Sequence, residues 1–170
     1  MFALVRALVY AVLFMGFTLV FLPGQVLRWA GVTRPAHLGA AQFAGVAVEI
    51  VGVALALWCI VTFALIGRGT PFPIDPPRRL VVAGPYRYVR NPMYWGAGLA
   101  LAGAAIFYRS IALAGYALLF VGVMHLFVTL IEERVLGRSF GAEYAEYRRR
   151  VRRWWPRRPE ERESRHSTQA

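Results

Sequence analysis

Long apolar runs, broken by short polar interruptions, fill the chain as far as Ile131. The first runs from about Ala3 to Leu22 and stops at Pro23-Gly24. It exceeds the ~7–15 apolar residues of a signal peptide, and no small-x-small cleavage site follows, so it predicts a retained helix. The second runs from about Gln42 to Ile66, the third from Pro92 to Phe107 and the fourth from Ile111 to Ile131. Runs of this length with so few charges are the mark of membrane spans. The expected fold is therefore all-α integral membrane, with about four transmembrane helices.

Beyond Ile131 the pattern changes. Leu136, Phe140, Tyr144, Tyr147 and Val151 recur at three- and four-residue spacing. This predicts an amphipathic helix lying along the membrane. Trp154-Trp155-Pro156 suits an interfacial aromatic anchor. Residues 1–158 are expected to form a single domain and 159–170 a disordered tail.

Composition agrees with the pattern. Apolar residues make up 58% of the 170 residues, against roughly 45–50% in soluble domains. All twenty basic residues are arginine, and the net charge is +11. Such a charge suits nucleic acid or an anionic membrane surface; the apolar spans decide for the membrane, with Arg148–Arg158 as the expected contact to anionic headgroups. Arginines concentrate in the Gly67–Asn91 loop and after Ile131. The positive-inside rule then places both termini and that loop in the cytoplasm, and the expected location is a bacterial inner membrane. The single cysteine, Cys59, falls mid-span and reads as a packing thiol. Glu49, within or near a span, is either a functional carboxylate or an interfacial residue that bonds a neighbouring helix.

Two clusters carry candidate chemistry. The first is Gly84-Pro85-Tyr86-Arg87-Tyr88-Val89-Arg90-Asn91-Pro92-Met93-Tyr94-Trp95-Gly96, at the start of the third helix. Asn91 is a good N-cap and Pro92 a good first helical residue. A helix N-terminus there favours a carboxylate or phosphate, and the aromatic faces favour a cation. The second is Glu132-Glu133, where two acids at a helix C-terminus oppose its dipole and require a partner. An antiparallel hairpin of helices three and four sets the clusters side by side, an arrangement that fits a zwitterionic amino acid. The small residues of helix three, Gly96 to Ala105, admit a second helix closely, within the hairpin or in a dimer. Plainer roles compete: Arg87 and Arg90 as positive-inside residues, the aromatics as a belt, the glutamates as a clamp on Arg148 or Arg149, and His125 as a helix-packing residue rather than a base.

The blocks GTPFPIDPPRRLVVAGPYRYVRNPMYWG and EERVLGRSFGAEYAEYRRRVRRWWPR resemble the isoprenylcysteine carboxyl methyltransferase-like family, which overlaps the phospholipid N-methyltransferases. The resemblance covers about Gly67 to Arg158. It implies S-adenosylmethionine as methyl donor, bound on the cytoplasmic side under a C-terminal cover, and a lipophilic acceptor with a carboxylate or lipid amine. Gly84, Tyr86, Asn91, Pro92, Tyr94, Glu132 and Glu133 are the positions it implies for the donor. Arg90 and Glu133 are those expected to act in catalysis. Many relatives carry histidine where Asn91 stands, and proline where Arg134 and Arg152 stand. No metal site is expected. An NADPH-dependent reductase of the sterol-reductase type, which shares the arginine–x–proline–x–tyrosine motif, and a non-enzymatic membrane scaffold are the alternatives.

Overall fold

A computed structural model of the chain describes residues 13–67 and 79–156. The start of the first apolar run, Asp75 within the long loop and the tail after Pro159 lie outside the described residues. Within them the fold is all-helical, without a β-strand. Helix α1 covers Leu13–Trp29, α2 Ala40–Ile66, α3 Pro92–Tyr108, α4 Ile111–Phe127 and α5 Glu133–Arg150. A 3₁₀ turn, Gly84–Arg87, precedes α3.

Pro23-Gly24 was expected to end the first helix, yet α1 continues to Trp29. Proline lacks an N–H and crowds the carbonyl four residues back. A π-helical stretch, Phe17–Phe21, immediately precedes it, with the Leu22 N–H reaching back to the Phe17 carbonyl. The widened turn absorbs the proline, as π-bulges do. Helix α4 likewise passes through a π-helical stretch, Val128–Glu132, into α5, so one helical run extends from Ile111 to Arg150. Gly141, at φ 48° and ψ −117°, interrupts it.

By length and composition, α2 and the Ile111–Arg150 run can each cross a membrane; these are the two such helices among the described residues. The described part of α1 is shorter, and α3 has 17 residues. Large apolar side chains cover the outer faces: Phe43, Ile50, Leu57, Leu118 and Leu126 are each more than half exposed. Patches of that extent need an apolar surrounding.

The small face of α3 serves α2 rather than the α3–α4 hairpin. A Cβ on Gly52 would lie 2.4 Å from the Ala100 nitrogen and 2.6 Å from the Gly96 oxygen. One on Gly103 would lie 2.5 Å from the Glu49 nitrogen and 2.6 Å from the Gly45 oxygen. Gly45 and Gly96 are equally close to the facing backbone. Two glycines seven residues apart on each antiparallel helix thus bring backbone against backbone, the geometry of weak Cα–H···O contacts. Gln42 fastens one end of the pair, its Nε2 donating to the Phe107 carbonyl at 3.0 Å. Arg109, in the left-handed conformation at φ 49°, and Ser110, whose hydroxyl accepts from the Leu113 N–H at 3.2 Å, turn the chain sharply into α4. Helix α1 leans on α3 and α4: Leu19 packs against Ala97, Leu101 and Phe120, and the Tyr116 hydroxyl donates to the Thr18 carbonyl at 2.8 Å.

The apolar positions of α5 close against the long loop. Tyr144, Tyr147 and Val151 form one buried cluster with Leu80, and Leu136 and Phe140 pack on it. The buried Tyr147 hydroxyl donates to the Tyr86 carbonyl at 2.8 Å. Tyr147→Phe is expected to lower stability by about 1 kcal/mol, the net worth of such a bond. A thermal melt that leaves this variant at the wild-type midpoint would show the bond contributes nothing.

Candidate active site

The site begins at a turn that only glycine can open. Gly84 has φ +56°, and a Cβ there would meet Thr62 Oγ1 at 2.9 Å. The turn it starts carries Tyr86 inward against Phe63 (ring centroids 6.1 Å apart), beside Val81 and Cys59. Burial pushes the Tyr86 phenol well above its ordinary range, so the ring presents a neutral hydroxyl. Cys59 is fully buried, in keeping with a packing thiol.

Helix α3 starts at Pro92, with Asn91 in the N-cap position, but the Asn91 side chain does not cap it. Its Nδ2 instead donates to the Arg153 carbonyl at 3.4 Å. After α5 ends, Val151 adopts extended geometry and the chain doubles back across the start of α3. Val89 and Arg152 form a parallel bridge, the Arg90 N–H donates to the Arg152 carbonyl at 3.0 Å, and Trp95 Nε1 donates to the Trp154 carbonyl at 2.9 Å. Residues 151–155 are a strap stitched to α3 by backbone and side-chain bonds.

Glu132 and Glu133 sit under this strap with different partners. Glu133, 9% exposed, receives two bonds from Arg153, Nε at 2.7 Å and Nη2 at 2.8 Å. Arg90 Nη2 approaches the same carboxylate at 3.0 Å. The Glu133 carboxylate in turn holds the Arg153 guanidinium above its usual range. Glu132 accepts a hydrogen bond from the Tyr94 hydroxyl at 2.9 Å and has no cationic partner among the described residues. Arg90 is as buried as Glu133, and its Nε and Nη1 are buried with no hydrogen-bond partner among the described residues. Buried, unpaired guanidinium nitrogens are costly.

The structure brings Gly84, Tyr86, Arg90, Asn91, Pro92, Tyr94, Glu132 and Glu133 to one end of the helix bundle. It adds Arg153, Trp154 and His125, which sequence reasoning passed over or set aside. Trp154 Nε1 donates to His125 Nδ1 at 3.0 Å, with the rings stacked at 5.9 Å. The glutamate clamp expected on Arg148 or Arg149 falls on Arg153 and Arg90 instead. Arg149 pairs with Glu146 along α5, and Arg148 lies over the Tyr144 ring. The turn at Val151 is what swings Arg153 inward, and no periodicity announces a turn.

A model of the phospholipid methyltransferase family matches residues 40–143, more than half of the chain. The chain belongs to the phospholipid methyltransferase family. A search of curated proteins gives no significant match. The family match takes in α2, the Gly84–Gly96 block and both glutamates, and ends before the strap. Membership makes this a membrane methyltransferase of lipid-like substrates. Within the matched region the Gly84–Gly96 block and the glutamate pair, 38 residues apart at Tyr94 and Glu132, are joined by a hydrogen bond.

Proposed function

We propose that the protein transfers a methyl group from S-adenosylmethionine to a lipophilic acceptor, a carboxylate or a lipid amine, at the cytoplasmic face of the membrane. The observation that carries this reading is the convergence of Arg90, with two unpartnered buried nitrogens, and Glu132, without a cationic partner among the described residues, at the start of α3. An amino acid's carboxylate and ammonium complement that pair. The two unpartnered nitrogens of Arg90, whose Nη2 already meets Glu133, are the test of fit: a carboxylate would complete them, beside a helix N-terminus that also favours negative charge.

In this reading Arg90 takes the donor's carboxylate and Glu132 its ammonium, with Tyr94 fixing the Glu132 carboxylate. Glu133, expected from sequence to act directly, holds Arg90 and Arg153 in place and so positions the donor through them. Tyr86 and Gly84 form the wall toward α2, and Asn91 holds the strap over the site. Bound S-adenosylmethionine would supply a methyl group already activated on a sulfonium. The chain's own contribution is then to align the acceptor and exclude water. The strap, with Trp154 and Trp155, is the water-excluding cover. The arginines of α5 and the strap favour contact with anionic headgroups, although Arg149, Arg150 and Arg153 are also engaged by glutamates.

The test is calorimetry in detergent with S-adenosylhomocysteine, with NADPH as the rival ligand. Glu132→Gln is expected to weaken S-adenosylhomocysteine binding about ten- to a hundred-fold, the worth of a hydrogen bond to a charged group, while the thermal midpoint stays near wild type. A folded wild-type sample that ignores S-adenosylhomocysteine sinks the reading; NADPH binding in its place would favour the reductase.

A further inference from the structure

Trp154 ties the strap to both helices of the α3–α4 hairpin. Its backbone carbonyl accepts from Trp95 Nε1 on α3 at 2.9 Å. Its own indole Nε1 donates to His125 Nδ1 on α4 at 3.0 Å. The Tyr94 ring leans on the same indole, with centroids 6.5 Å apart, and Trp95 meets Trp155 edge to face at 5.2 Å. Elsewhere the strap is held by the Arg90 N–H on the Arg152 carbonyl, by Asn91 on the Arg153 carbonyl and by Arg153 on Glu133. Without the His125 bond the strap keeps those stitches, but its far end comes free of α4.

The bond to α4 differs from the others in its chemistry. An indole N–H can only donate, so Nδ1 is the acceptor and the neutral imidazole carries its proton on Nε2. A further proton can go only to Nδ1, and an imidazolium has no acceptor left. Two N–H groups cannot stand head to head at 3.0 Å, so the indole must turn away, whatever attraction the two ring faces retain. Closing the strap and protonating His125 therefore exclude each other, and each weakens the other by the same factor. The sign follows: the bond is present while His125 is neutral and is lost as the pH falls. Asn91, Trp95 and the backbone groups of the other stitches do not titrate, and carboxylates ordinarily do so near pH 4. Histidine is the side chain whose charge ordinarily changes between about pH 5 and 8. His125 is exposed, so a proton needs no path to reach it. On α3 the titratable group beside it is Tyr94, whose hydroxyl is given to Glu132. On its own helical run Glu132 holds that bond, and on the strap Arg153 is turned onto Glu133. Helix α1 brings no titratable side chain between Leu13 and Leu27. Among the described residues no carboxylate pairs with His125 to hold an imidazolium in place.

We infer that His125 is a proton-released clasp on the strap: neutral, it holds Trp154 down over the site, and protonated, it lets the strap lift so that the site can exchange its occupant. The inference rests on the proposed methyl transfer for its purpose, because methyl donor and demethylated product must pass the strap at every turnover. His125 is thus a positioning residue that acts through Trp154.

The experiment is hydrogen–deuterium exchange on the full chain in phosphatidylcholine nanodiscs at about pH 8 and about pH 5.5, on either side of the ordinary imidazole titration. Rates are corrected for the intrinsic pH dependence of amide exchange. The reporting peptide carries the Arg90 amide, whose bond ends on the strap at the Arg152 carbonyl. A peptide from the α2 contact around Gly45–Gly52 is the reference for folding. In the wild type, protection of the reporter is expected to fall about five-fold from the higher pH to the lower, the worth of one hydrogen bond, while the reference holds. His125→Asn, whose amide oxygen stands near the place of Nδ1 and cannot titrate, should stay protected at both pH values. Trp154→Phe, which keeps an aromatic ring and loses the donor, should show the lower protection at both. Equal protection of the wild type at the two pH values would overturn the inference. So would an undiminished fall in His125→Asn, which would assign the response to another group, Glu132 foremost. If Trp154→Phe also loses the reference protection, it is misfolded, and the wild type against His125→Asn decides alone. S-adenosylhomocysteine dissociation is timed on the same samples and should quicken about five-fold wherever the reporter loses protection. A proton-dependent strap in a protein that binds no S-adenosylhomocysteine would leave the clasp standing and remove the methyl-transfer reading. Firm S-adenosylhomocysteine binding under a strap indifferent to pH would do the reverse.

Discussion

Gly52→Ala is expected to prevent stable folding of a protein in which Gly115→Ala is tolerated or mildly stabilising. A single methyl group at position 52 would sit 2.4 Å from the Ala100 nitrogen, 2.6 Å from the Gly96 oxygen and 2.9 Å from the Leu99 carbonyl carbon. All three are backbone atoms of a packed helix, so no flexible side chain can swing aside. The helices would have to separate along their whole contact. Overpacking a core costs typically 1–3 kcal/mol when side chains can shift. Here on the order of 3 kcal/mol or more is expected, a large part of a domain's total stability. Gly115 has no atom within 4 Å of its would-be Cβ. Alanine there gains up to about 1 kcal/mol of helix propensity over glycine. Thermal melts and monodispersity in detergent check both. A Gly52→Ala protein that melts within a degree or two of wild type would show that the α2–α3 backbones are not in contact.

The glycine spacing bears on how much of the molecule its sequence discloses. Apolar runs marked helices α1 to α4 among the described residues, because period and length are local properties. The boundaries of α2 and α3 fell within two residues of those expected. The small face of α3 was legible too, but its partner was not. The expected partner was α4 within the hairpin or a second copy in a dimer, and the matching seven-residue spacing of Gly45 and Gly52 on α2 was the signal that pointed elsewhere. The first helix passed through Pro23 because a π-helical stretch made room, and nothing in apolar periodicity encodes a π-bulge.

At the site the order of legibility is similar. The Gly84–Gly96 block and Glu132-Glu133 could be paired from the expected antiparallel hairpin, and Tyr94 does meet Glu132. The strap could not be foreseen in that way. Its bonds from Asn91, Trp95 and the Arg90 backbone depend on a reversal at Val151, and they span about sixty residues of sequence. The amphipathic pattern of α5 ran through Val151 without a break. Arginines before that reversal therefore seemed as able to reach the glutamates as Arg153, which lies after it.

The same reversal sets the second large effect. Glu133→Gln is expected to destabilise the protein by about 3–5 kcal/mol, the range for removing one partner of a buried ion pair. The substitution keeps the shape of the side chain and removes the charge that holds Arg90 and Arg153. Two guanidinium groups would then face each other under the strap, one of them already carrying two unpartnered nitrogens. Arg153 is the more exposed of the two, at 30% against 9% for Arg90, so it can be removed with less loss of burial. Arg153→Gln combined with Glu133→Gln should therefore recover part of the stability lost by Glu133→Gln alone, a coupling above the ~0.5 kcal/mol scatter of independent sites. Glu132→Gln, which leaves both guanidinium groups paired, should melt near wild type. Denaturation of wild type, the single variants Glu132→Gln, Glu133→Gln and Arg153→Gln, and the double variant in one detergent decides the matter. If Glu133→Gln and Glu132→Gln proved equally mild, the two acids would share one role. A large loss confined to Glu133, partly recovered by Arg153→Gln, divides them into an anchor for the strap and a carboxylate left free for a cationic ligand.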